Sequence, residues 1–433
     1  MYDTAETAER FVLIAVIKNG GDQAEDTSEA GADQNLDELS ELVRTAGGEE
    51  AGRFTQRRYN AHPAHYFGKG RLEELRSYID LTGADAVACD DELTNAQIRG
   101  LERALGVRAV DRSTVILDIF ARRAVSAEGK IQVELAQQRY NLSHLAGVGS
   151  ALSRLGGGIG TRGPGEKKLE TDRRHIRESI YELERRLEDI KTRRTVLRER
   201  RVRTGAPVAA LVGYTNAGKS TLMNAVSGAG VLTEDKLFAT LDTTTRRVTL
   251  PGGSEILLTD TVGFIRKLPH ALIRAFRATL EEARYADILL HVADASSPDC
   301  ARQMDIVYET LDGLGCGGKL VITVFNKTDL PVQRPLPDDR RAALKLELSA
   351  KEQTNIGALL AAIEDTLKQG RRSMCVTVPY DKGHIAGLIH GGCEIVAEEY
   401  AENGTYFELY ADDEMKGRLE PFKCERMGVR NAE

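Results

Sequence analysis

An apolar run, Val208 to Val212, leads directly into Gly213-x-x-x-x-Gly218-Lys219-Ser220, and Thr221-Leu-Met-Asn-Ala-Val226 continues as a helix start. Buried strand, glycine loop and helix in that order admit few folds. The strand delivers the loop to the carboxyl edge of an open α/β sheet, where backbone N–H groups and the positive helix end can cradle phosphate oxygens. Gly213, Tyr214, Thr215, Asn216, Ala217, Gly218, Lys219, Ser220 and Thr221 are therefore expected to line a phosphate site. Lys219 should reach the β- and γ-phosphates as a catalytic group, and the Ser220 hydroxyl should ligate Mg2+. The plainer alternative, a glycine turn before a helix, loses its force because four further motifs follow in order.

A second apolar strand, Ile256-Leu-Leu258, leads to Asp260-Thr-Val-Gly263. Asp260 would emerge at the same sheet edge and hold the metal, while the Gly263 N–H meets the γ-phosphate. Upstream, residues 238–246 (Phe-Ala-Thr-Leu-Asp-Thr-Thr-Thr-Arg) form the expected first switch loop, with Thr244 or Thr245 completing the Mg2+ shell in the GTP state. Asn326-Lys327-Thr-Asp329 ends the strand Leu320 to Phe325, and Ser349-Ala350-Lys351 follows a strand at Leu344 to Leu348. The Asp329 carboxylate can accept from guanine N1–H and its 2-amino group, whereas adenine leaves it poorly paired. Asn326 suits the N7 side, Lys327 and Lys351 the two ring faces, and the Ala350 N–H the base carbonyl. The five motifs together imply a GTP and GDP site.

Switches of the Ras type carry Gln after the glycine of Asp-x-x-Gly to orient the attacking water. Phe264 stands there. A phenyl ring cannot hold a water in line, so hydrolysis by the isolated chain should be slow and the site should be completed from elsewhere. Asn216 offers one route: phosphate loops of this form resemble those of potassium-assisted GTPases, in which the Asn side chain coordinates K+. An Asn chosen only to tolerate a turn is the other reading.

The 433 residues exceed what one such domain needs. No apolar run approaches membrane-spanning length; Phe11 to Ile17 is seven residues. The polar, acidic N-terminus does not read as a signal peptide, and six scattered cysteines without a Cys-x-x-Cys pair fit a reducing, cytoplasmic setting better than zinc or disulfides. The net charge is −7, yet residues 154–203 carry 16 Lys and Arg against 9 Asp and Glu, leaving the remainder at −14. A basic segment on an acidic chain suits a directed contact, although charge alone also fits a solvated helix face.

That segment has helical order. Leu169, Ile176, Ile180, Leu183, Leu187, Ile190 and Leu197 are spaced as a coiled-coil seam, and Ile131, Leu135, Leu142 and Leu145 give a second apolar face upstream. Between them residues 147–165 hold eight glycines in nineteen positions. The pattern predicts a helical hairpin with an oversized glycine-rich tip. Lacking acidic residues before Glu166, the tip suits close approach to RNA phosphates, with Arg154, Gly157, Gly158, Arg162 and Lys167 as candidate contacts.

The expected organisation is an α/β multidomain chain. A small α/β domain (1–112) has a strand at 11–17, a mobile polar stretch at 20–35, a helix near 36–46, a turn at Gly68-Lys-Gly70 capping the next helix, and a strand near 84–89. A helical hairpin (113–203), a P-loop GTPase domain (204–371) and a small α/β C-terminal domain (372–433) follow. The last should hold strands at 375–378, 394–399 and 405–410 and a helix near 383–390.

Across all these regions the chain resembles the HflX family of ribosome-associated GTPases. The resemblance rests on residues 65–75 (His-Tyr-Phe-Gly-Lys-Gly-Arg-Leu-Glu-Glu-Leu), 110–120 (Val-Asp-Arg-Ser-Thr-Val-Ile-Leu-Asp-Ile-Phe), 132–137 and 156–166, and on the 213–221, 238–242 and 260–264 motifs. Two positions depart from the family's usual pattern: Thr243 stands where Pro is usual and Lys167 where Thr is frequent. The resemblance implies a cytoplasmic GTPase that binds the large ribosomal subunit and its rRNA, acting as a monomer when bound. It also implies that hydrolysis is stimulated by ribosomes and that the protein splits or rescues stalled or idle ribosomes under stress. A large-subunit assembly GTPase and a nucleotide-gated RNA-binding scaffold are the alternatives.

Overall fold

The computed structural model describes residues 8–18, 29–145, 164–202, 206–228, 237–238, 243–267, 282–332, 334–370, 372–411 and 413–424. The chain forms two compact units. The first takes residues 1–189 with 234–242 and 265–279, and the second takes 190–233, 243–264 and 280–433.

In the first unit β1 (Arg10–Lys18), β2 (Glu49–Arg58), β3 (Ala86–Cys89) and β4 (Arg108–Asp111) make a parallel sheet in the order β2-β1-β3-β4. Phe11 to Ile17 are all buried, as a parallel strand covered on both faces requires. The connecting helices are α1 (Glu29–Thr45), α2 (Lys69–Thr82), α3 (Asn95–Leu105) and α4 (Arg112–Arg123). Their starts are written locally: Gly68 precedes α2, Thr94 and Gln97 form a capping box on α3, and Asp111 accepts from Thr114 N at the head of α4.

Two expectations change here. Helix α1 begins at Glu29, so 29–35 is helix rather than loop; its apolar face is Leu36, Leu39, Leu42 and Val43, all buried. Strand β2 was not anticipated, because Glu-Glu-Ala-Gly-Arg-Phe-Thr-Gln-Arg-Arg lacks an apolar run. As an edge strand it needs little more than Phe54, which packs against the core of this sheet.

Helices α5 (Ala127–Leu145) and α6 (Pro164–Val202) complete the N-terminal half. On α6 Leu183 is buried and Ile176, Ile180 and Leu187 are partly covered, while most of their neighbours are exposed. Arg139 Nη2 on α5 donates to Glu184 Oε1 on α6 at 2.6 Å. Of the glycine-rich stretch, only Pro164 and Gly165 lie within the described residues, as the start of α6.

The second unit contains a six-stranded sheet in the order β10-β9-β8-β5-β7-β6, parallel except for β6. Its strands are β5 (Val208–Gly213), β6 (Thr244–Thr249), β7 (Glu255–Asp260), β8 (Ile288–Asp294), β9 (Leu320–Asn326) and β10 (Leu344–Glu347). Helices α7 (Lys219–Ser227), α8 (Cys300–Gly313) and α9 (Ile356–Gly370) accompany them, around a core of Leu211, Ile256, Leu290, Val324 and Leu359. The carboxyl ends of β5, β7 and β9 bring Gly213, Asp260 and Asn326 to one edge. The segment expected as a loop to residue 246 is already strand from Thr244. A smaller antiparallel sheet, β11 (Arg372–Val378), β12 (Glu394–Ala401) and β13 (Gly404–Ala411) in the order β11-β13-β12, carries α10 (Gly383–Gly392) and α11 (Asp413–Leu419). No described helix is long and apolar enough to cross a membrane.

Candidate nucleotide site

The phosphate loop joins β5 to α7 inside the second unit. Gly218 adopts φ +92°, and a Cβ there would stand 2.2 Å from Asn326 Nδ2, so both the turn and the packing demand glycine. Lys219 is buried, its Nζ donating to Gly213 O at 3.0 Å and Tyr214 O at 2.8 Å. Burial pulls its pKa down to about 8, against the upward pull of Asp260. The two carbonyls thus aim the ammonium across the loop. Thr215 Oγ1 is buried and has no hydrogen-bond partner among the described residues, an orphan hydroxyl fitted to a phosphate oxygen. Asn216 is exposed with φ +61°, a region Asn tolerates better than most side chains.

Asp260 closes β7, and its Oδ2 accepts from Ser220 Oγ at 2.7 Å. A hydroxyl and a carboxylate oxygen converge there, and both are hard donors of the kind Mg2+ takes, directly or through water. The residues present therefore fit the metal. Thr244 pairs directly with Asp260 across β6 and β7, so the two side chains share a face of the sheet. Thr245 points to the opposite face and lies 3.0 Å, oxygen to oxygen, from Thr259. Gly263 runs hard against the phosphate loop: a Cβ would lie 2.9 Å from Thr215 Cα and 3.0 Å from Lys219 Nζ. Phe264 is buried, and its backbone bridges that loop, donating to Gly213 O at 3.1 Å and accepting from Thr215 N at 2.7 Å.

At the base end Ser349 Oγ donates to Asp329 Oδ1 at 2.6 Å, which holds the exposed carboxylate below the usual range. Lys327 Nζ meets Asp294 Oδ2 at 2.8 Å, and Lys351 is exposed. Asn326 makes bonds within the protein that the sequence did not reveal. Its Nδ2 donates to Ala217 O at 2.9 Å and its Oδ1 accepts from Ala350 N at 2.9 Å, so the carboxamide ties the phosphate loop to the 349–351 turn. The Ala350 N–H thus has a protein acceptor and is not presented to a base carbonyl. Asp294, Thr354 (Oγ1 accepting from Ser349 N at 3.0 Å) and Thr261 (Oγ1 donating to Leu211 O at 2.6 Å) were not singled out in the sequence. Only Asp294, ending an apolar strand, left a readable signal.

Among the expected RNA contacts, Arg154, Gly157, Gly158 and Arg162 lie outside the described residues. Lys167 falls in the first turns of α6, with its side chain outside them as well.

Three family models match the chain in succession: a GTP-binding GTPase N-terminal region over residues 33–121, a GTP-binding GTPase middle region over 123–201, and a 50S ribosome-binding GTPase over 208–327. The GTPase HflX of Lacrimispora saccharolytica is 49% identical over 419 residues, covering 97% of each chain. That of Escherichia coli K12 is 38% identical over 408 residues, 94% of each. A solved GTP-binding protein of the archaeon Sulfolobus solfataricus, in complex with GDP, is 22% identical. It covers 83% of this chain and 99% of its own with a TM-score of 0.44. The long alignments at high identity, not this distant superposition, identify the relatives.

Proposed function

The chain belongs to the HflX family of GTPases, and from that premise we propose that it couples its GTP cycle to engagement of the large ribosomal subunit, splitting or rescuing stalled or idle ribosomes. The reaction is GTP and water to GDP and phosphate. Lys219 and the loop amides would bind and orient the phosphates, and the Gly263 N–H would meet the transferred group. Ser220, Asp260 and Thr244 would hold Mg2+, which when bound neutralises charge on the β- and γ-phosphates. Asp329 would read guanine, with Lys327 and Lys351 flanking the ring.

One observation carries the partner-dependent part of this reading. The position that orients water in other switches is Phe264, whose buried ring can offer no hydrogen bond and whose backbone is bonded to the phosphate loop. A completing group must come from outside the site. The basic segment 154–203 with its glycine-rich tip, and the match of residues 208–327 to a 50S ribosome-binding GTPase, support rRNA of the large subunit as the source. Asn216 at the loop rim supports K+ as an added catalytic ion, and exchange of KCl for NaCl should then slow turnover; an unchanged rate would remove that role. The setting is cytoplasmic and the bound form a monomer. Co-sedimentation with purified large subunits tests the reading: binding should be tight with a non-hydrolysable GTP analogue and weak with GDP. Equal, weak binding in both states would refute it.

A further inference from the structure

The small antiparallel sheet brings together two cysteines that stand far apart in the sequence. Strand β11 lies at the border of that sheet, with β13 on one side. After α11 the chain returns to the other side. Leu419 is buried, a 3-10 turn follows over Glu420–Phe422, and Phe422 packs against the core of Val376, Phe407 and Leu409. The Lys382 ammonium lies 5.0 Å from the centre of the Phe422 ring. Lys423 then pairs antiparallel with Val376, and Cys424 N donates to Cys375 O at 2.9 Å. The apolar anchors Leu419 and Phe422 set this register without any help from the thiols.

One step from the Val376–Lys423 bridge, Cys375 and Cys424 are cross-strand neighbours. Opposed residues of an antiparallel pair project to the same face. Their backbone hydrogen bond keeps the two Cα atoms within about 6.8 Å by covalent dimensions, the outer limit for a disulfide. Hydrogen-bonded opposed pairs sit at about 5.5 Å, near the span a disulfide prefers. Met374, Val376 and Val378 turn into the core, so strand alternation places Cys375 on the other face. Both cysteines are half-buried, which leaves them open to a small oxidant.

The other thiols are placed differently. Cys89, Cys300 and Cys316 are buried, and burial pushes their pKa up, that of Cys300 to about 12. Cys393 precedes β12, which lies two strands from β11 and so about 10 Å away, out of disulfide reach. We propose that Cys375 and Cys424 form an intramolecular disulfide on exposure to a low-molecular-weight disulfide such as oxidised glutathione, fastening the segment after α11 to the edge of β11. One protein thiolate attacks the S–S bond of the oxidant and expels a glutathione thiolate. The second attacks the protein sulfur of the mixed disulfide and expels the other glutathione. The protein pair gives up two electrons and two protons, and the oxidant becomes two thiols. In a reducing setting such a bond is transient rather than structural. It depends on neither the nucleotide site nor the ribosomal reading.

The test is oxidation of the full, folded chain in a glutathione redox buffer, followed by thiol counting and by peptide mapping without reduction. Reduced thiols should fall from six to four. A single linkage, Cys375 to Cys424, should appear and should vanish with dithiothreitol. Cross-linked chain should exceed singly glutathionylated chain at least about ten-fold, because the second thiol acts at high effective concentration. In Cys375→Ser and in Cys424→Ser the remaining thiol of the pair should be trapped as a mixed disulfide. The wild-type map decides the matter even where a variant folds poorly. Six reduced thiols throughout, mixed disulfides at both positions without a linkage, a linkage to Cys393, bonds only between chains, or a linkage that forms only in urea would each overturn the proposal.

Discussion

At the scale of residues, Ser349 and Asp329 illustrate how one hydroxyl conditions a carboxylate proposed to read the base. The 2.6 Å hydrogen bond from Ser349 holds the Asp329 carboxyl below its usual range, and under the proposed function that carboxylate accepts from two donors of guanine. Asp329→Asn should weaken GTP binding roughly 10- to 100-fold and improve binding of xanthosine triphosphate, whose 2-carbonyl can accept from the new amide. Competition titrations check this, and an unaltered preference for GTP would mean that Asp329 does not read the base. His291 on β8 illustrates a different constraint. Burial holds its pKa at about 4, although Asp339 at 4.0 Å pulls it upward. The unfolded chain binds the proton near pH 6.5, so the stability that neutral His291 confers is complete above 6.5 and is lost as pH falls toward 4. The loss amounts to about 3 kcal/mol at most. In urea unfolding, the stability gap between wild type and His291→Asn should move by that order across this window. Parallel pH profiles would show that His291 does not titrate as its burial demands.

At the scale of elements, strand alternation separates two adjacent threonines. Thr244 shares a face with Asp260, while Thr245 faces Thr259. Thr244→Ala should therefore raise the Mg2+ concentration needed for half-maximal GTP turnover several-fold, and Thr245→Ala should leave it nearly unchanged; the reverse order would mean that β6 shifts register in the GTP state. Sequence could not make this choice, because spacing places both residues in one segment and only pairing assigns their faces. The same limit runs through the fold. The placing of Gly213, Asp260 and Asn326 was legible because each ends a strand whose apolar run is local in the sequence. Strand β2 was not, since an edge strand needs so few apolar positions, and helix α1 was read short because its first turns are polar. Asn326 was read as a base contact; its carboxamide also bonds across 109 and 24 residues of sequence to Ala217 and Ala350, ties that spacing could not reveal. The carboxylates Glu38, Asp90 and Asp91 look like ordinary surface acids in the sequence, yet α1 and the end of β3 bring them to Arg266 and Lys267.

At the scale of the whole molecule, the phosphate loop, Asp260, Asn326 and Asp329 all belong to the second unit, while residues 234–242 and 265–279 are counted with the first. A basic segment, residues 154–203, lies in an otherwise acidic chain, and under the proposed function its partner is RNA. The central claim is that the group missing opposite Phe264 is supplied on the large ribosomal subunit, reached through the glycine-rich segment. Steady-state GTP turnover, with and without purified large subunits, tests it most directly when the full chain is compared with a variant shortened across Gly156–Arg162. The account predicts strong stimulation of the full chain and its loss in the shortened one. Equal turnover with and without subunits would contradict it, and so would stimulation that survives shortening.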